Sequence, residues 1–260
     1  MKLLLEEMTR DEAREAFDAG AMVVLPTGAI EQHGPHLPLA VDTYAVTHIA
    51  RAAAERAATE IPIVVAPAMH FGVSHHHMAF AGTMSLTGQI YIDALKELAR
   101  CLYRHGVRRI VLLNGHGGNQ NPNGVVVQAL VNEENLDLTI GQASYWTIAA
   151  KALVEAGAHD VAAHFPGHAG GFETSLMLAL RPDLVQLDRR RPPTDDLVSS
   201  VHATEPGIYA RAGGTTDDAS RASAEAGTRL LTATVDAVAA YLVQFYRGTR
   251  SDRESPTPAA

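Results

Sequence analysis

The chain has one cysteine, Cys101, which excludes an intrachain disulfide and any zinc site built on several thiolates. No apolar stretch approaches the roughly 18 residues of a membrane span. The Leu3-Leu4-Leu5 run meets Glu6 and Glu7 at once, so it is too short for the apolar part of a signal peptide. Basic residues are outnumbered: 21 Lys and Arg against 29 Asp and Glu give a net charge of −8. The short runs Arg108-Arg109 and Arg189-Arg190-Arg191 cannot form the basic stripe that a phosphate backbone requires. These absences point to a soluble cytoplasmic protein without a nucleic-acid or membrane partner. Neither the Gly-x-Ser-x-Gly elbow of serine hydrolases nor a zincin His-Glu-x-x-His helix is present. What the chain does have is a 47% hydrophobic content over 260 residues, enough for a sizeable core, and thirteen histidines.

Ala21–Leu25, Ile61–Ala66, Ile110–Leu113 and Leu138–Ala143 read as strands, the first three as nearly continuous apolar runs that suit burial on both faces. Between them, Asp42–Thr59 and Gln89–His105 have helical periodicity. Asp42-Thr43 is a plausible cap for the first, and Ile90, Leu95, Leu98 and Leu102 form the apolar side of the second, which Gly106 stops. Cys101 falls in that helix and reads as a small core residue. Alternation of strand and helix implies a mostly parallel α/β sheet covered on both faces. Residues 188–222 are polar and weakly periodic, an ordered excursion more than a second domain. Ser223–Tyr246 reads as a long helix capped by Ser223. A single domain over residues 1–248 is expected, with a disordered tail at 249–260.

Three of the strands run directly into segments rich in metal-capable side chains. The first leads to Glu31, His33 and His36, with Asp42 shortly after; the second leads to His75-His76-His77; the third leads to Asn114-Gly115-His116-Gly117-Gly118-Asn119. Carboxyl ends of parallel strands share one edge, so these segments converge on one site. Carboxylate with imidazole suits zinc, manganese or iron, and a carboxylate can bridge two cations. Taken alone, Asp42 is as easily a helix cap. The glycine-rich turn at His116 lacks the glycine and lysine of phosphate-binding loops, since residue 120 is Gln120, so a metal-binding histidine is the better reading. Glu173, alone, would be a first-turn charge favoured by the helix dipole. The three consecutive histidines read at least as easily as a solvated loop or a subunit contact and are left outside the ligand set.

Glu31-Gln32-His33-Gly34-Pro35-His36-Leu37-Pro38-Leu39 with Asp42, Phe80-Ala81-Gly82-Thr83, Asn114 to Asn119, and His168 with Gly170-Gly171-Phe172-Glu173-Thr174-Ser175 together resemble the creatininase family over about residues 20–190. The resemblance implies a three-layer αβα fold, a homo-oligomer (a hexamer for creatininase itself) and two divalent metal ions per chain, zinc first, with manganese or iron as alternatives. Carried over by motif, Glu31 and His116 would hold one metal, His33 the other, and Asp42 would bridge them. The glutamate that creatininase places two residues after the third-motif histidine is Gly118 here, and Glu173 is the candidate replacement. His168 matches the histidine that transfers a proton in that enzyme. Trp146, within Ser144-Tyr145-Trp146, would stack on a flat substrate or serve ordinary packing. The implied activity is hydrolysis of a cyclic or linear amide of a small molecule, creatinine among the candidates, with a peptidase or formamide hydrolase as the alternative. A catalytically inactive ligand-binding protein on the same scaffold is the reading from another class.

Overall fold

A computed structural model describes residues 2–194 and 207–249. Its centre is a four-stranded, all-parallel sheet in the order β2-β1-β3-β4, formed by β1 (Met22–Thr27), β2 (Ile63–Val65), β3 (Arg109–Asn114) and β4 (Thr139–Ser144). Side chains alternate across the strands. Met22, Val24, Val111 and Leu113 enter the core on one face, and Val23, Leu25, Ile110, Leu112 and Ile140 enter the core on the other. Both faces are apolar, so the inner strands lack an alternating pattern in the sequence.

Helices α1 (Arg10–Asp18), α3 (Gly88–Arg104) and α4 (Gln120–Gln128) cover one face. Helices α2 (Val41–Ala57), α5 (Gly171–Leu180) and α6 (Ala224–Gly248) cover the other. This is the three-layer α/β arrangement expected, with two differences of detail.

The first difference is in α3, which buries Tyr91, Leu95, Ala99 and Leu102. Ile90 and Leu98 are exposed, and Cys101 is a free thiol at the surface, not a core residue. The apolar stripe in the sequence is wider than the arc the sheet can cover, so its flanks remain outside. The second is at the start of α2, where the N-cap position is Ala40 with no side-chain bond. Asp42 lies inside the first turn, buried and directed elsewhere.

Residues 195–206 of the polar excursion and residues 250–260 of the expected tail lie outside the described residues. Residue 249 of that tail is described: the Thr249 hydroxyl accepts a hydrogen bond from the Arg109 guanidinium at 3.1 Å. No described helix is long and apolar enough to cross a membrane.

Ser223 does cap α6, its hydroxyl accepting from the Ala226 N–H at 3.1 Å, while its own N–H donates to the Ser175 hydroxyl on α5 at 3.2 Å. Ser223→Ala should cost about 1 kcal/mol of stability, read from the urea midpoint, and Ser223→Asp should recover most of it.

Candidate metal centre

The carboxyl ends of the strands are tied together by buried polar side chains. Asn114, at the end of β3, accepts from the Thr27 hydroxyl at 3.2 Å and donates to the Ser144 hydroxyl at 2.9 Å. Its carboxamide also bonds both the N–H (3.1 Å) and the carbonyl (2.8 Å) of His116, which fixes the turn. Asn119 bonds the Gly28 carbonyl at 3.0 Å and the Val73 N–H at 3.0 Å, joining the three loops that follow β1, β2 and β3. Buried amides are retained where their polar atoms find partners, and Asn114 fills all four of its hydrogen-bonding positions.

On this frame Glu31, His33, Asp42, His116 and Glu173 come together, all buried. Asp42 sits at the middle. Its Oδ1 lies 3.2 Å from His33 Nε2 and its Oδ2 lies 3.0 Å from His116 Nδ1. Glu31 Oε1 is 3.4 Å from the same His116 nitrogen, and Glu173 Oε2 is 3.9 Å from His33 Nε2. The outer nitrogen of each histidine faces a backbone carbonyl, His33 Nδ1 that of Glu31 at 3.1 Å and His116 Nε2 that of Val73 at 3.1 Å. Such carbonyl partners orient a ligating ring with its lone pair inward. Glu31 Oε2 is buried without any hydrogen-bond partner. Sets drawn from Glu31, His33, Asp42, His168 and Glu173 place candidate ligand atoms within 4.8 Å of one another, so the donor set fits divalent cations of the zinc or manganese type.

Electrostatics agree. Burial opposes charge on Glu31, yet the neighbouring His116 holds its carboxyl well below the ordinary range. His33 resists burial and is pushed up to about 10 by Asp42 and Glu173. Burial pushes Glu173 up to about 8. Without cations, protons on these groups offset the gathered charge.

The sequence left out several residues that the fold brings here. His77 is buried, with Nε2 3.5 Å from Glu31 Oε1 and its ring stacked on His168 at 4.2 Å; its neighbour His75 is exposed. His76 is half-buried and stacks on His116 at 5.8 Å. Tyr209, from the polar excursion, packs against His77 and His76. Gln32 also enters the site. His36 does not: its Nε2 pairs with the Thr174 hydroxyl at 2.9 Å, behind the cluster. Trp146 lines the cavity, as do His168 and Glu173. That cavity, about 330 Å³, is further lined by Gln120, Asn121, Pro166 and Tyr209, with no Lys or Arg among its described lining residues.

Gly118 faces no open space, since a Cβ there would overlap the Val73 carbonyl and the His116 ring. A side chain at this position would require the Val73 carbonyl and the turn to shift.

The model for the creatininase family (creatinine amidohydrolase) matches residues 6–242. A creatinine amidohydrolase of Pseudomonas putida is 34% identical over 249 residues, 90% of this chain and 93% of that protein. A mycofactocin precursor peptide peptidase of Mycobacterium tuberculosis is 34% identical over 227 residues, 82% of this chain and 81% of that protein. A solved creatininase variant of Zn-Zn type superposes with a TM-score of 0.78 at 32% identity, over 93% of this chain and 98% of that chain.

Burial lowers the His36 pKa to about 4, aided by His33 and Arg190. The unfolded chain therefore takes up a proton below the ordinary value of 6.5 that the folded protein refuses, and stability falls as pH drops from there towards 4. Between pH 7 and pH 5 this group should account for about 2 kcal/mol of lost stability in the metal-free protein. Urea titrations at the two pH values should show His36→Asn losing that much less than the parent.

Proposed function

The chain belongs to the creatininase family, hydrolases acting on amide C–N bonds, and we propose that Asp42 bridges two divalent cations in it. One cation would be held by Glu31, Asp42 and His116, the other by His33, Asp42 and Glu173. The observation that carries this reading is the division of the Asp42 carboxylate, one oxygen on His33 and the other on His116. Glu173 takes the place of the carboxylate that Gly118 lacks. A Cβ at 118 would overlap the Val73 carbonyl and the His116 ring, whereas Glu173 Oε2 lies 3.9 Å from His33 Nε2.

When bound, such a cation pair lowers the pKa of a shared water and polarises an amide carbonyl. The chain's own part is to place the substrate and move the proton. His168 directs Nδ1 into the site, 3.6 Å from Glu31 Oε1, and can carry a proton to the leaving nitrogen, which would otherwise depart as an amine anion. Trp146 and Tyr209 offer flat walls, and Gln120 and Asn121 offer amide groups, to a ligand in the cavity of about 330 Å³. With no Lys or Arg among its described lining residues, the cavity suits a compact amide lacking a free carboxylate, such as creatinine or a related cyclic amide. The likeness to the peptidase supports trimming of a short peptide as the second reading.

The same reading takes the enzyme to be a cytoplasmic homo-oligomer, hexameric by family resemblance. Phe71, Met78 and Met84, 39%, 54% and 56% exposed on the segment after β2, are apolar surface suited to a subunit contact.

Elemental analysis should find about two equivalents of zinc or manganese per chain, about one in Glu173→Gln and essentially none in Asp42→Ala. An unchanged content in Glu173→Gln would remove Glu173 from the ligand set. His168→Ala should keep its metal while turnover falls by about 10²–10⁴, and loss of metal in that variant would make His168 a ligand instead. Assays with creatinine, formamides and short peptides, run on the loaded protein, separate the substrate readings. Failure on every amide would favour the binding-protein alternative.

A further inference from the structure

His77 and His168 are stacked, and both point a nitrogen at the same oxygen, Glu31 Oε1, at 3.5 and 3.6 Å. They do so through different atoms, Nε2 for His77 and Nδ1 for His168. Their other nitrogens converge on the side chain of Gln32, which is 5% exposed. What each ring presents to the site therefore depends on how the protons are shared at Gln32.

One arrangement satisfies both backbone carbonyls that meet these groups. The Gln32 carboxamide is oriented by the Gly34 N–H, which donates to Oε1 at 2.9 Å. Its Nε2 then has two hydrogens and three neighbours, Gly214 O, His77 Nδ1 and His168 Nε2, each at 2.9 Å. The Gly214 carbonyl can only accept and takes one hydrogen. His168 Nε2 also lies 2.9 Å from the Gln32 backbone carbonyl, another group that can only accept. That nitrogen carries its own proton towards this carbonyl, so its 2.9 Å approach to the carboxamide nitrogen is a donor–donor contact and not a hydrogen bond. The second carboxamide hydrogen goes to His77 Nδ1, which leaves the His77 proton on Nε2.

We infer that Gln32 is a positioning residue that fixes His77 with its N–H towards Glu31, beside a His168 whose lone pair points the same way. Two stacked rings of the same tautomer thus present opposite polarity to one carboxylate oxygen. The His77 N–H faces the Glu31 carboxylate at 3.5 Å and favours its charge, and the His168 lone pair is open to a proton. The catalytic consequence rests on the amidohydrolase reading above, whereas the proton arrangement does not.

The test is solid-state NMR on zinc-loaded protein with ¹⁵N-labelled histidine, with His77→Asn and His168→Asn assigning the two rings. Protonated Nε2 is expected on both rings in the parent protein. In Gln32→Glu the new carboxylate can only accept, so His77 should move its proton to Nδ1 while His168, held by a backbone carbonyl, stays unchanged. Gln32→Met, which offers neither donor nor strong acceptor, should leave His77 as a mixture of tautomers. It serves as the second reading if the glutamate variant fails to fold. Protonated Nδ1 on His77 in the parent, or an unmoved His77 proton in either variant, would overturn the assignment. Turnover in the Gln32 variants should fall by about 10–100-fold with metal retained and KM little altered, the range seen when the partner of a site histidine is lost. Absence of turnover in the parent would count against the amidohydrolase reading and leave the NMR result standing.

Discussion

Three carboxylates, Glu31, Asp42 and Glu173, are buried within a few ångströms of the same histidines, and the rest of the site is organised around neutralising them. An ionised carboxylate removed from water without compensation costs many kcal/mol, so it must be protonated, paired or metal-bound. Without cations this protein uses protons: His33 is pushed up to about 10 and Glu173 up to about 8. Protons on imidazole nitrogens occupy the directions in which ligand lone pairs would point. They leave Glu31 Oε2 without a partner, a shortfall that a divalent cation would remove.

Holding these charges together requires a scaffold that cannot relax. The parallel sheet supplies it by delivering the loops after β1, β2 and β3 to one edge, where Asn114 and Asn119 fasten them through bonds to backbone and hydroxyl groups. Two candidate ligands sit on helices instead, Asp42 in the first turn of α2 and, further along the chain, Glu173 in the first turn of α5. The position of Glu173 follows from α5 packing on α2 and α6, not from any strand. Gly118 shows how the parts constrain one another. A Cβ in the turn that aims His116 inward would overlap the Val73 carbonyl, and the carboxylate that does approach His33, at 3.9 Å, is that of Glu173.

The strands and the clustering of most candidate ligands could be read from the sequence for one reason. A strand buried on both faces is a continuous apolar run, and acids and histidines directly after such runs have few structural uses. The residues that escaped lacked that contrast. In His75-His76-His77 the three side chains are chemically identical, and only the short helical turn decides that His77 goes inward while His75 stays exposed. Tyr209 sits in an aperiodic segment whose return over the site depends on tertiary contacts, among them the Gly214 carbonyl on Gln32 and the Thr216 hydroxyl on the His168 N–H. Gln32 is a neutral amide between two charged neighbours, and nothing in its identity signals that it sorts protons between two rings. Cys101, Ile90 and Leu98 were misplaced because periodicity identifies an apolar side of α3 but not how much of it the sheet covers.

The most direct test of the account is anomalous diffraction at the zinc edge from crystals of the zinc-loaded protein. Two peaks are expected on either side of the Asp42 carboxylate, one against Glu31 and His116 and the other against His33 and Glu173. A single peak, or a second peak that Glu173 does not touch, would contradict the bridged centre.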